Sequence, residues 1–159
     1  MSQLEIYPLS EKPEYAPTCA AWSFGSWGCH LEEASLQKSL TGYKERSENA
    51  DKIPLTWIAI LNKKVTGMVS LVINDHPDHP ELSPWLASMF VHPEFRKKGY
   101  ASQLIQKLHA EAKNLNYKKL YLFTPDAEKL YEKNGWKIIG QVRDPMGLRE
   151  HENLMEIEL

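Results

Sequence analysis

Between Trp85 and Leu115 the apolar period changes once, across a short basic turn, and this change constrains the fold more than any other feature of the 159 residues. Residues 85–91, W-L-A-S-M-F-V, are a short apolar run with the composition of a strand. From Gly99 onward the apolar side chains recur at Ala101, Leu104, Ile105, Leu108, Ala112 and Leu115. That spacing makes one face of an amphipathic helix, with Lys107, Glu111 and Lys113 turned away from it. A buried strand feeding such a helix through a tight turn belongs to a mixed α/β fold.

The rest of the chain fits the same class. Residues 4–7 alternate as a first strand does, and Pro8 and Pro13 then interrupt the chain. Residues 15–27, rich in Ala and aromatics, predict a helix ending near Gly25 or Gly28. Residues 31–40 carry apolar side chains at roughly helical spacing, and residues 43–54 read as a loop or a ragged helix end. Residues 56–61 and 65–73 are β-branched, apolar runs joined by Asn62-Lys63-Lys64, the pattern of a β-hairpin. Residues 74–83 form a loop with Pro77, Pro80 and Pro84 in or beside it. Asn116 stands where the long helix stops, a position that suits a left-handed residue. A strand over 119–123, a short helix over 127–134 closed by Gly135, and strands over 136–142 and 153–159 complete a single domain, 1–159.

Composition narrows the partners. With 42% apolar and 25% charged residues the chain has the profile of a soluble globular protein. A net charge of −2 supplies no basic field for nucleic acid or an anionic membrane. Cys19 and Cys29 are too few for a disulfide framework, so both are expected as thiols in a reducing compartment. Residues 1–10 contain no signal-peptide core and no apolar run reaches membrane-spanning length, so a cytoplasmic protein without membrane or nucleic-acid partners is expected.

The turn itself reads Val91-His92-Pro93-Glu94-Phe95-Arg96-Lys97-Lys98-Gly99-Tyr100-Ala101. A helix start leaves backbone N–H groups unpaired and concentrates partial positive charge, so it attracts anions. Gly99 and Ala101 keep bulk away from that backbone, and Arg96, Lys97 and Lys98 add positive charge. Neither the P-loop nor the dinucleotide-binding glycine pattern is present. R-K-K-G-Y-A after a strand ending V-H-P resembles the pyrophosphate loop, [RQ]-x-x-G-x-[GA], of the Gcn-related N-acetyltransferase (GNAT) superfamily. Downstream, Y-L-F-T at 121–124, Ala127 and L-Y-E-K-N-G-W at 130–136 resemble the next strand and helix of that family, so the likeness covers about half of the chain.

The resemblance implies a bacterial-type GNAT member of unassigned acceptor, using acetyl-CoA and no metal. It implies a central, mostly antiparallel, twisted sheet of about six to seven strands flanked by about four helices. Met89, Phe90 and Val91 would lie along the cosubstrate, on a strand splayed from its neighbour. Arg96, Lys97, Lys98, Gly99, Tyr100 and Ala101 would grip its phosphates. Thr124, where the family often has Asn, falls among the cosubstrate contacts. Tyr131 matches a tyrosine that protonates the departing thiolate in many relatives, and a phenol is protonated at neutral pH.

Glu81 precedes the central strand where relatives often place a carboxylate base. Asp75, Asp78 or a water chain are the other candidates for that role. Ser88 either bonds the acceptor or packs against the helices. His76 and His79 are read as a solvated loop in preference to a metal site, and Cys29-His30 as no catalytic pair, since adjacent side chains point apart. The expected activity is direct transfer of an acetyl group to a primary amine of a small molecule or peptide. A non-catalytic acyl-CoA-binding regulatory module is the alternative. A homodimer fits the habit of the family.

Overall fold

A computed structural model describes residues 2–159. Among these, seven strands form one sheet: β1 (Glu5–Pro8), β2 (Leu55–Leu61), β3 (Lys64–Val72), β4 (Trp85–Val91), β5 (Lys119–Thr124), β6 (Lys137–Arg143) and β7 (His151–Glu158). Their order is β1-β2-β3-β4-β5-β7-β6. Four α-helices accompany them: α1 (Ala16–Ser26), α2 (Leu36–Ser47), α3 (Tyr100–Asn114) and α4 (Glu128–Lys133). Neighbouring strands run antiparallel except β4 and β5, which run parallel. The mixed, mostly antiparallel sheet is the fold class expected.

Alternation along the strands separates two apolar layers. Leu104, Ile105, Leu108 and Ala112 of α3 join Trp57, Ala59, Val69 and Leu71 of β2 and β3, with Leu120 and Leu122 of β5, in one cluster. The other parity of the same strands, Ile58, Ile60 and Met68, meets Ala16, Cys19, Ala20 and Tyr43 from α1 and α2. Burying each large aliphatic side chain contributes about 1.5–3 kcal/mol, so both layers are needed to hold the helices on the sheet.

Local signals operate as the residue types dictate. Asn62 and Lys63 have φ of 51° and 65°, the two left-handed residues of a tight hairpin between β2 and β3. Asn116, φ 68°, ends the run of α3. The expected helix over 31–40 is shifted. The Ser35 hydroxyl accepts the Lys38 N–H at 3.1 Å, so α2 starts after that cap and runs to Ser47, through residues read as a loop. Its inward positions include Tyr43, Arg46 and Ser47, which do not register as an apolar face in a sequence.

The pairing of β4 with β5 places the site. One residue pair, Trp85 with Tyr121, registers the two strands, and the Tyr121 N–H donates to the Pro84 carbonyl at 3.1 Å. Beyond it the parallel strands diverge, so the sheet is joined at their amino ends and open at their carboxyl ends. Ligands collect outside the carboxyl ends of parallel strands.

Candidate active site at the strand split

The basic turn is held from behind. His92 N–H donates to the Thr66 carbonyl at 2.8 Å, and Phe95 N–H to the His92 carbonyl at 2.8 Å. Arg96 Nε donates to the Val91 carbonyl at 2.7 Å, with its guanidinium 5.6 Å from the Phe90 ring centre. Lys97 and Gly99 then take φ of 62° and 82°, alternating the backbone so that successive amides point to one side. At Gly99 an added Cβ would meet no atom within 4 Å, but the left-handed φ disfavours any side chain. Among the described residues, the N–H groups from Lys97 to Ser102 find no protein acceptor. The first bond of α3 runs from Gln103 N–H to the Gly99 carbonyl at 3.2 Å. The result is a cradle of free amides at the positive end of a fifteen-residue helix, beside two lysines.

From this cradle β4 leads into the split. Ser88 has φ 52°, and Ser88 and Met89 together stand opposite Val69 alone, a bulge between the pairs Ser70–Ala87 and Met68–Phe90. The bulge turns β4 away from the regular ladder at the mouth of the split. There a cavity of about 980 Å³ opens, walled by α1 and α2, by β4 and β5, by α4 and by the β6–β7 connection.

Tyr131 of α4 lines this cavity and is 6% exposed. Its hydroxyl makes no hydrogen bond to protein among the described residues, and burial raises its pKa above that of a free phenol. Thr124, at the end of β5, lines the same space. Its Oγ1 accepts the Ala127 N–H at 3.1 Å, which holds the turn into α4.

The opposite wall carries charge. Glu152 of β7 is 3% exposed, and its carboxyl is pushed up to about 7, first by burial and then by Asp144 and Asp126, against the pull of Arg149. Asp75, just after β3, is also pushed up to about 7, by burial and by the Glu152 charge, with Arg46 opposing. Arg46 of α2 is anchored by donating to Ser70 Oγ at 3.1 Å and lies 4.4 Å from the Tyr43 ring centre. The Asp144 carboxylate accepts three amides, those of Met146, Leu148 and Arg149, at 2.9, 3.0 and 2.9 Å, and so fixes the β6–β7 turn. Behind it, Arg143 donates twice to Asp78, at 2.9 and 3.1 Å. His76 Nδ1 accepts the Asp78 N–H, so Nε2 is left to donate to the Arg143 carbonyl at 2.7 Å.

The expected residues divide accordingly. Met89, Thr124 and Tyr131 meet in the cavity, and Phe90, Val91 and the segment 96–101 lead from it to the helix start. Ser88, Phe24 and Trp27 line it too, while Trp22 packs on Phe90 at 4.9 Å. Glu81 is not brought to the cavity. It lies on the outer loop, its largely exposed carboxylate 3.3 Å from His79 Nδ1, because residues 76–82 fold outward against Arg143. Asp78 is spent on Arg143, whose hydrogen bonds hold its carboxyl below the usual range. Cys19 is buried, its thiol pushed up to about 12, and Cys29 is exposed. Arg46, Tyr43, Asp144 and Glu152 were not anticipated. Glu152 had one signal: it shares strand parity with Leu154, an inward position, where a carboxylate is costly unless it has a task.

Known proteins share this fold. Residues 53–138, more than half of the chain, match a family model described as an acetyltransferase (GNAT) domain. Over 86 residues the chain is 31% identical to YycN, an uncharacterised N-acetyltransferase of Bacillus subtilis (strain 168), a stretch that is 51% of this chain and 54% of that protein. The chain therefore spans about half the length of this curated relative. The fold is similar to that of a GNAT-family acetyltransferase from Streptococcus pneumoniae, with a TM-score of 0.68, 18% identity and 99% of each chain covered. It is also similar to an aminoglycoside 6'-N-acetyltransferase complexed with coenzyme A, with a TM-score of 0.74, 16% identity, and 97% and 96% of the two chains covered. With the split strands, the amide cradle and the family match in agreement, the chain belongs to the GNAT acetyltransferase family.

Proposed function

We propose that the protein is an N-acetyltransferase that moves an acetyl group from acetyl-CoA directly to a primary amine of a small molecule or peptide, with both substrates bound at once. The observation that carries this reading is the cradle of free amides from Lys97 to Ser102 standing at the mouth of the β4–β5 split. A pyrophosphate fits that cradle: it needs close backbone approach, which Gly99 allows, and several donors beside positive charge. The pantetheine arm then follows Val91, Phe90 and Met89 down the unpaired edge of β4, where amides can bond its own amide groups. The solved relative described as complexed with coenzyme A supports the same ligand chemistry.

The thioester end reaches the cavity. The Met89 N–H at the bulge supplies the donor for the oxyanion that forms when the amine attacks. Tyr131 gives its proton to the departing thiolate, a role that suits a buried, unpartnered, protonated phenol.

Acetyl-CoA should raise the melting temperature, by a stabilisation of about 2.7 kcal/mol at a hundredfold excess over its dissociation constant. Gly99→Leu should abolish the rise. A panel of primary amines assayed for free thiol release from acetyl-CoA identifies the acceptor. No stabilisation of the parent protein at millimolar acetyl-CoA would remove the cosubstrate assignment. Stabilisation without amine-dependent thiol release would make the protein a binding module.

A further inference from the structure

Acetyl transfer to an amine needs a group that takes a proton, because an ammonium has no lone pair to attack with. The loop carboxylate Glu81 faces solvent beside His79 and does not line the cavity. Four other carboxylates do; Glu33 and Asp126 are exposed, whereas Asp75, from the end of β3, and Glu152, from β7, are drawn into the wall. Neither carboxylate makes a hydrogen bond to protein among the described residues, although Glu152 is 3% exposed. The protein partner of Glu152 is the Arg149 guanidinium at 4.0 Å, beyond hydrogen-bond reach, so the carboxylate keeps acceptor capacity for something that occupies the cavity. A second, independent group says the same. Tyr43, on α2, is 3% exposed and lines the same cavity, and its hydroxyl has no partner.

The charges around the pair are unequal in effect. Arg46 from α2 faces Asp75. Arg149 from the β6–β7 turn is 4.0 Å from Glu152, and Asp144 and Asp126 face Glu152 from the ends of β6 and β5. Resting on the acetyltransferase reading above, we propose that Asp75, with Glu152 beside it, is the catalytic base that receives the acceptor's ammonium. Asp75 takes one proton from R–NH₃⁺ and hands it to water. The freed amine nitrogen forms the N–C bond to the acetyl carbonyl, and the C–S bond breaks. The thiolate takes the Tyr131 proton, and the second nitrogen proton restores the phenol. Glu152 holds the ammonium and, as a nearby negative charge, keeps Asp75 basic enough to accept its proton near neutral pH. Both carboxyls being pushed up to about 7 agrees with that task.

The test is the pH profile of kcat/KM for thiol release with an amine the parent accepts, together with the acetyl-CoA-induced rise in melting temperature. The parent should lose activity as pH falls through about 7, where the pair becomes protonated. Asp75→Asn should lower kcat/KM at pH 7 by about 10²-fold or more and remove that limb, with activity recovering at high pH as free amine becomes abundant. Glu152→Gln should shift the limb to lower pH, since the charge that raises Asp75 is gone. Both variants should keep the acetyl-CoA-induced rise, which shows them folded and cosubstrate-competent. Parent-like rates and limb in Asp75→Asn would overturn the base assignment and leave acetyl transfer standing. An Asp75→Asn that loses the acetyl-CoA rise also counts against it, unless Glu152→Gln moves the limb as stated. A parent that binds acetyl-CoA but releases no thiol with any amine would overturn the acetyl-transfer reading itself.

Discussion

At Gly99 a φ of 82° meets a helix start whose amides have no protein partner, so the residue type follows from the backbone and the backbone from the anion it can hold. Tyr131 is the complementary case, a residue whose proposed role as proton donor calls for a hydroxyl that packing does not need. Phenylalanine packs equally well against Trp136, whose ring centre is 6.0 Å away, but carries no proton to give. Tyr131→Phe should keep the folding stability within about 1 kcal/mol of the parent and lower kcat by about 10²-fold or more, read by thiol release. Replacing the Asp144 side chain acts through geometry. Asp144→Ala removes the acceptor of three amides in the β6–β7 turn and should cost about 1–3 kcal/mol in chemical denaturation.

Among the elements, α2 and α3 contrast. The apolar face of α3 is continuous, and its ends are marked by Gly99 and Asn116, so its extent could be read from residue types. The inward face of α2 holds Leu40, Tyr43, Arg46 and Ser47; Tyr43 and Arg46 border the cavity, and the Ser47 hydroxyl donates to the Lys44 carbonyl. A helix built to line a site looks like a loop when apolar spacing is the guide. Ser35→Ala should lower stability by about 1 kcal/mol by removing the cap of α2. The contact between α3 and the segment after α4 is acid-sensitive. His109 Nε2 accepts the Trp136 Nε1–H at 2.9 Å, and burial pushes its pKa down to about 4. An unfolded histidine binds its proton near 6.5, so stability is lost as pH falls from about 6.5 to about 4. His109→Gln keeps an acceptor without titrating, and the slope of melting temperature against pH in that window should flatten.

On the scale of the whole molecule, the cavity carboxylates act in the reverse sense. Asp75 and Glu152 have folded pKa values near 7, above the ordinary carboxylate range near 4. Their protonated forms favour the fold, and that contribution is lost as pH rises from about 4 to about 7. Asp75→Asn should therefore be more stable than the parent at pH 8, by about 1–2 kcal/mol after allowance for solvent reaching the cavity, and calorimetry at pH 8 and pH 5 should show the difference shrink at the lower pH. The stability given up at neutral pH accompanies a site kept ready for an ammonium.

The strand, basic turn and helix from Trp85 to Leu115 were determined by residue type alone, because strand period, glycine conformation and helix period are properties of neighbours in sequence. The order of elements and the seven-strand sheet followed from the same short-range patterns and the family resemblance they carry. The acceptor side was decided by tertiary structure. Whether a carboxylate is a base depends on what surrounds it, and around Asp75 those neighbours are Arg46, held against β3 by α2, and Glu152, brought in by β7 beside β5, both distant in sequence. Glu81, equally acidic in the sequence, lies on a loop that His76 and Arg143 turn outward. Burial and charge in three dimensions separate the two carboxylates, and no local pattern encodes either.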